Sequence, residues 1–578
     1  MIVKSLKINN FRNLNHIEII LNPVTNYIIG ENNLGKSNFL DALDALFNGR
    51  RICEEDYCDI TKDIEIITTL GLTEEEYGFF ADNFDPDQAS NITIKFTQRP
   101  EDNYPTIICV NTDESIQSKQ LKKIHYVRYQ SSTAVPSKEL KLSQPSGASR
   151  VFNSLVAMYI NDDSNDTSFI NENSVGALTK YVNELLSKIG GFSKYRIRAT
   201  IGNNINDLIS NMYFLSDGDR KIESTGSGVQ YIAMASINIL SQIMSIYKSK
   251  NSKFDEQYYI DKSGRRILPL LVALDEPEVH LHPYLQRALI TYYKRILNSE
   301  DDAFNELIKK CFGIDGISGQ LIAVTHSPDI LMDDYKNLVR FYKHQDVSMV
   351  ANGFSLTSQF DKSTEKQLIM RFKDLRESFY AHCVVIVEGE TEYGCMPYFA
   401  RSLNISLDDN CISIIMAQGE SSIRPLVKLF DCFHIPTICI YDGDVKEKRA
   451  TNSDNEFFTN GKCFEIDIID SLYKSGHTDL IKKIAEDMDG NIWKTRLDED
   501  YVKKTFKYLG KSLSNYEPKI LSEIDDNNEE EFCTMYKVWF MKHKGVLSGR
   551  SIGVHVPVEC IPKCYSDAFT QAIMRSQE

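Results

Sequence analysis

The chain has 578 residues, too many for a single hydrophobic core, and its 42% hydrophobic and 25% charged residues exclude an extended disordered polymer. A formal charge of −16 excludes a uniformly basic nucleic-acid coat, although short basic clusters at Lys119–Lys123, Lys262–Arg266 and Lys542–Arg550 could line a phosphate path. The 13 cysteines are scattered, several inside apolar stretches, as in proteins with reduced, buried thiols, and Cys560 and Cys564 lack companion ligands at zinc-site spacing.

The opening MIVKSLKINNFRNL alternates apolar and polar residues without the continuous apolar core of a secretory leader. No apolar run is expected to reach the length of a membrane span, so a cytoplasmic protein without membrane association is expected. Strands are expected at Val3–Ile8 and Thr25–Ile29, a glycine-bearing loop at 30–36, and a helix from Ser37 to Phe47. Ile64–Leu70, Asn91–Phe96 and Lys123–Tyr129 alternate like further strands. From about 151 to 215 the pattern turns helical with Asn-rich loops, suggesting an insertion. Ile267–Leu274 and Leu321–Val324 are nearly continuous apolar runs, as in parallel strands buried on both faces. A charged helical connector is expected near Phe360–Ser378, followed by a second α/β domain with strands at Cys383–Val387, Cys411–Met416 and Thr437–Tyr441, and a helix over Ile423–Phe430. Phe464–Asp470 reads as one more strand bearing acids.

Gly30-Glu31-Asn32-Asn33-Leu34-Gly35-Lys36-Ser37 matches the Walker A pattern between a strand and a helix. There the backbone N–H groups of Gly30, Asn32, Asn33 and Gly35 would face phosphates, Lys36 would neutralise their charge, and the Ser37 hydroxyl would ligate magnesium. Leu268–Leu274 followed by Asp275-Glu276-Pro277-Glu278 reads as a Walker B strand, with Asp275 on the magnesium shell and Glu276 polarising water. His326 follows the next apolar strand, where the switch histidine of ABC ATPases reaches the γ-phosphate. Ser224–Gln230 is similar to a degenerate ABC signature, with Ser227 and Gly228 at matching positions. One Walker A and one such signature per chain imply that two chains share two sites. Asn10-Phe11-Arg12-Asn13 resembles a segment of RecF, SMC and OLD ATPases in which the arginine approaches phosphate, and Gln130 is a candidate for the Q-loop.

In the second domain an apolar strand ends in Glu388-Gly389, with Glu392 on the first turn of the next helix. A later strand ends in Asp442-Gly443-Asp444. Carboxylates converging at strand ends repel one another unless cations join them, which makes magnesium or manganese the expected occupant. Two such ions could activate water and stabilise a leaving oxygen in phosphodiester cleavage.

The ordered set, strand-Glu-Gly and then strand-Asp-x-Asp, is the Toprim signature. Behind the ATPase motifs, it resembles the OLD (overcoming lysogenization defect) family, including the nuclease subunit of Gabija-type antiphage systems. The resemblance implies an α/β fold: an ABC-type ATPase head over 1–375 with a helical dimerisation insertion, then a Toprim domain with a parallel sheet over 376–578. It implies an ATP-regulated, metal-dependent endonuclease or nickase acting on DNA in antiphage defence. ATP and Mg2+ or Mn2+ would be its cofactors, and a homodimer or higher even oligomer its assembly; a helicase or a reverse transcriptase with its DNA is a compatible partner. By resemblance Asp467 is assigned as a further acid on the metals and Lys544 as the transition-state lysine, with Glu465 and Asp470 competing for the first role and Lys542 for the second. The rival is a DNA-sensing or repair ATPase whose Toprim domain only binds. A second rival, a Toprim primase or topoisomerase, lacks support because the sequence shows no zinc module and its ATPase motifs are of another class.

Overall fold

The computed structural model describes residues 1–80, 90–131, 135–143, 146–160, 172–201, 213–357, 359–448, 453–490, 492, 499–510 and 519–577. They form two compact units, Met1–Gln359 and Phe360–Glu578.

In the first unit, alternation builds an antiparallel sheet in the order Ile17–Ile20, Ile2–Asn9, Ile64–Gly71, Asn91–Gln98, Thr106–Cys109. Every second side chain of its long strands turns inward, including Ile64, Ile66, Ile92, Ile94 and Phe96. This face shares one core with Phe39, Leu40 and Leu43 of the helix Lys36–Asn48, and with Ala273 and Ile322 of a second sheet. Burial of that helix on two sides fixes the direction in which its first turn points.

The second sheet carries the near-continuous apolar runs. His125–Gln130, Arg266–Asp275, Gly316–Val324, Thr25–Gly30 and Leu338–His344 lie side by side and parallel, with Val347–Asn352 antiparallel at one edge. Register aligns their carboxyl ends: Gln130 lies opposite Asp275, Asp275 opposite Val324, and Val324 opposite Ile28. Gln130 is thus the last residue of its strand, beside Asp275.

Three expectations need correction. The insertion is not wholly helical: after helices Gly147–Ile160, Glu172–Leu186 and Gly190–Tyr195, a small antiparallel sheet pairs Ile197–Ile201, Tyr213–Asp217 and Arg220–Lys221. Ile197 and Ala199 alternate with Arg198, a strand period that the surrounding helical pattern masks. The remainder of the insertion, 161–171 and 202–212, lies outside the described residues. One helix, the 24-residue Ser227–Lys250, does pass the length and composition test for a membrane span, but 61% of its most apolar window is buried inside the unit. Finally, the helix Lys362–Leu375 belongs to the second unit and not to the first domain. Phe372 packs on Phe379, which in turn packs on Phe430 and Phe433.

The second unit is built on four parallel strands in the order Ile412–Met416, Cys383–Val387, Thr437–Tyr441, Glu456–Phe458. Cys383–Val387 and Thr437–Tyr441 are fully buried and central. Helices Glu390–Ser402, Phe464–Lys474, Glu529–Lys542 and Lys563–Ser576 supply the rest of one core around Trp539, Tyr536 and Tyr565.

His125 starts a buried strand, and its Nε2 has no hydrogen-bond partner. Burial, only partly offset by a hydrogen bond with the Gln257 backbone, pushes its pKa down to about 4. The unfolded chain would protonate this ring near the ordinary value of about 6.5, while the folded one resists, so stability is full above pH 6.5 and falls as pH drops towards 4. The gap is on the order of 3 kcal/mol. In urea unfolding followed by circular dichroism, His125→Phe should lose less stability between pH 7.5 and 4.5 than the parent; equal losses would refute this assignment.

Candidate functional site

Two sites form at the carboxyl edges of the two parallel sheets. In the first, Gly35 caps the helix Lys36–Asn48 with φ 101°, a conformation open to glycine, and a Cβ there would press on the Asn13 side chain at 2.6 Å. Asn13 braces the loop: its Nδ2 donates to Asn33 O at 2.9 Å, and its Oδ1 accepts from Asn38 at 2.8 Å. Asn32, Asn33 and Ser37 are exposed on the loop and first helical turn. Lys36 is buried, with Nζ donating to the carbonyls of Gly30 at 2.7 Å and Glu31 at 2.5 Å. Burial lowers its pKa to about 8, against the pull of Glu276, Glu31, Asp275 and Glu278.

Asp275 is buried at the end of its strand and paired with Arg128 of the neighbouring strand at 2.6 Å. Arg128 also pairs with Asp41, which pairs with Arg12 at 2.5 Å. The Arg12 guanidinium is tied to Asn38, Asp41 and Asp56, and within that segment Asn13 meets the loop. Arg128 was missed, yet a charge inside His125-Tyr126-Val127-Arg128-Tyr129 is a legible signal. Glu276 adopts φ 51° and donates its N–H to Val324 O. Glu278, also missed, accepts from Thr325 Oγ1 at 2.9 Å and from His326 N at 2.6 Å, clamping the histidine loop to the Asp275 loop. His326 is exposed; burial of part of its ring and then the Lys36 charge lower its pKa, while Asp275 opposes them. Ser227 and Gly228 open the helix Ser227–Lys250. The atoms nearest a Cβ at Gly228 belong to Leu285 and His280, so in one chain this segment packs on the turn after Glu278.

The second site is a cleft of about 350 Å³ lined by Glu388, Glu392, Asp442, Glu465, Lys544 and the loop Met416–Gly419. Glu388 and Asp442 end adjacent strands, and Asp442 N lies 3.4 Å from Glu388 Oε2. Burial and then Glu392 push the Asp442 carboxyl well above the ordinary range. Burial likewise raises Glu388 and Glu392. The two Glu392 oxygens accept from Tyr565 OH at 3.0 Å and Gly389 N at 2.8 Å. Lys544 Nζ sits 2.9 Å from Glu465 Oε2, off the directions of a hydrogen bond; although burial disfavours its charge, Glu465 holds its pKa above the usual ammonium range. Asp444 is exposed outside that lining, with Tyr508 OH 3.3 Å from its Oδ2.

Asp467 is not a cleft acid. Phe464–Lys474 is a helix and not a strand, so residues two apart face different ways; Glu465 enters the cleft while Asp467 caps the preceding turn, accepting from Asn460 N and Gly461 N. Asp470 pairs with Lys537, and Lys542 ends the helix Glu529–Lys542 outside the lining. Among the described residues no three such side chains meet in ligating geometry, since Glu392 and Glu465 are drawn to protein partners. The pair Glu388 and Asp442 suits a hard divalent cation that keeps several waters.

Comparison with known proteins matches residues 26–333, more than half of the chain, to the family described as "AAA domain, putative AbiEii toxin, Type IV TA system". Residues 379–444 match "Overcoming lysogenization defect protein-like, TOPRIM domain". The chain belongs to that AAA family and carries an OLD-like Toprim domain. It is similar to Endonuclease GajA of Bacillus cereus, 22% identical over 563 residues that cover 91% of this chain and 88% of the relative. It is also similar to the Old nuclease of Escherichia phage P2, 22% identical over 495 residues, 76% and 77% of the two chains. An OLD nuclease of Thermus scotoductus is 28% identical over 184 residues, 30% and 31% of the two chains.

In this OLD-like Toprim unit, glycines place Lys544. Helices Glu390–Ser402 and Val546–His555 cross backbone to backbone: a Cβ at Gly549 would overlap Thr391 O, and one at Gly394 would overlap Val546 O. The crossing brings Gly545 N to 3.2 Å from Thr391 Oγ1 and so sets Lys544 at the cleft. Gly549→Ala should therefore cost about 2 kcal/mol or more through overpacking. It should also change the emission of Trp539, whose ring lies 3.8 Å from that of His543. Leu547→Ala, at a side chain 76% exposed, should do neither; matching thermal midpoints and spectra for both variants would contradict the role of the crossing.

Proposed function

We propose that this chain is a divalent-metal-dependent DNA endonuclease or nickase whose ATPase unit governs cleavage, acting in antiphage defence. The observation that carries the reading is the convergence of Glu388, Asp442, Glu465 and Lys544 on one cleft at the carboxyl edge of the Toprim sheet. A binding-only domain would not need carboxylates whose burial raises their pKa so strongly. Glu388 and Asp442 would hold magnesium or manganese; a second ion would draw on the rim acid Asp444, and on Glu392 only with release of Tyr565 OH; the bound metal would supply activated water and charge neutralisation at the scissile phosphate. Lys544, kept cationic by Glu465, faces the space where charge develops on the phosphate oxygens. The defence role is supported by resemblance to OLD and Gabija-type nucleases.

In the ATPase unit, Lys36 and the N–H groups of Gly30–Gly35 bind the phosphates of ATP, and Ser37 and Asp275 hold its magnesium. Glu276 orients water, and His326 contacts the terminal phosphate. Ser227 and Gly228 complete the site of a second copy, so the working form is a homodimer or a larger even assembly.

Asp442→Ala is expected to lower nicking of supercoiled plasmid, with Mg2+ or Mn2+, by at least about 100-fold, leaving ATP hydrolysis near the parent rate. Equal loss of both activities in a folded variant would sink the two-site reading. Glu276→Gln should slow ATP turnover by about 100-fold or more while ATP binding persists; normal turnover would remove Glu276 from its role.

A further inference from the structure

The loop Met416-Ala417-Gln418-Gly419 lines the nuclease cleft opposite Asp442, yet it carries no carboxylate. Two of its residues sit at positive φ, Gln418 at 64° and Gly419 at 116°. It is stitched to the strand that ends in Glu388, with Ala417 N donating to Val387 O at 2.8 Å and Gly419 N to Glu388 O at 3.1 Å. Its outer side is held by a side chain of the preceding helix. Arg371, on the helix Lys362–Leu375, donates Nη1 to Ala417 O at 2.8 Å and Nη2 to Met416 O, so one planar guanidinium grips two successive carbonyls. Its Nε is buried without a hydrogen-bond partner.

The side chain is half-buried on the helix face that carries Leu368, Phe372 and Leu375, where a hydrophobic residue would serve packing alone without burying a charge. Its two Nη groups are spent on the backbone of the loop that fixes Glu388. We propose that Arg371 is a positioning residue of the nuclease cleft: its fork holds Met416 and Ala417 so that Gly419 N–H pins the main chain of Glu388, and thereby sets the direction of the Glu388 carboxylate towards Asp442. Lysine cannot replace it fully, because an ammonium is a point donor without a rigid two-pronged geometry. The metal part of the test rests on the proposed function; the backbone part does not.

The experiment uses the full chain with Arg371→Ala and Arg371→Lys. Without metal, amide hydrogen exchange at Ala417 and Gly419 should rise at least 10-fold in Arg371→Ala and less in Arg371→Lys, with the urea midpoint of Arg371→Lys near the parent's. Mn2+ bound at the cleft, measured by electron paramagnetic resonance as the difference from Asp442→Ala, should bind at least 5-fold more weakly in Arg371→Ala, with ATP hydrolysis unchanged. Unchanged exchange at Gly419 in both variants overturns the proposal, and so does faster exchange accompanied by Mn2+ affinity equal to the parent's. Should the parent and Asp442→Ala bind Mn2+ identically, the metal reading of the cleft fails, and the exchange data still decide whether Arg371 pins the loop.

Discussion

Like charges at the ends of parallel strands are the constraint around which the second unit is built. Two carboxylates 4 Å apart repel by about 4 kcal/mol at the effective dielectric of a protein surface. The cleft gathers Glu388, Glu392, Asp442 and Glu465, the first and third half-buried and the other two fully buried. The fold bears this by giving each acid a different counterweight. Glu392 receives Tyr565 OH and a backbone N–H, Glu465 receives Lys544, and Asp442 accepts Phe464 N at 3.2 Å. Glu388 and Asp442 keep the least compensation of the set, and they stand on the two central strands. The glycine-lined helix crossing follows from the same constraint, since Lys544 offsets Glu465 only where backbones approach closely enough to seat its loop on Thr391.

The first unit meets the same electrostatic problem with another device. Asp275 also ends a buried parallel strand, but its counter-ion is Arg128 on the adjacent strand of the same sheet. Arg128 in turn shares Asp41 with Arg12, which shares Asp56 with Arg50. Acids and guanidiniums alternate from the Walker B strand, across the helix after the phosphate loop, to the early loop that carries Asn13. An arginine fork can bridge two carboxylates at fixed geometry, which a lysine cannot do as well, and arginine stands at each of the three cationic positions of this chain of contacts. The phosphate loop is therefore held from beneath by the helix core and from the side by a charged lattice ending at Asp275.

Much of this was legible in sequence because it is local. Gly30–Ser37 declares a loop between strand and helix, Asp275-Glu276 follows an apolar run, and Glu388 and Asp442 close buried strands; in each case chemistry and secondary structure are written within ten residues. What escaped depends on partners distant in sequence. Nothing near Arg371 mentions the carbonyls of Met416 and Ala417, and nothing near Arg12 mentions Asp41.

The exchange of Glu465 for Asp467 shows the sharper limit. Phe464-Glu465-Ile466-Asp467-Ile468 alternates as a strand would, and a strand would send both acids to one face. The same residues open a helix whose first six positions are all buried, because the core on one side takes Phe464 and Ile468 while the cleft and the preceding turn take one acid each. A period of two is evidence for a strand only when the polar positions face solvent. Here neither acid does, Glu465 being 1% and Asp467 6% exposed, so the alternation records two separate buried polar contacts on a helix and not the two faces of a sheet.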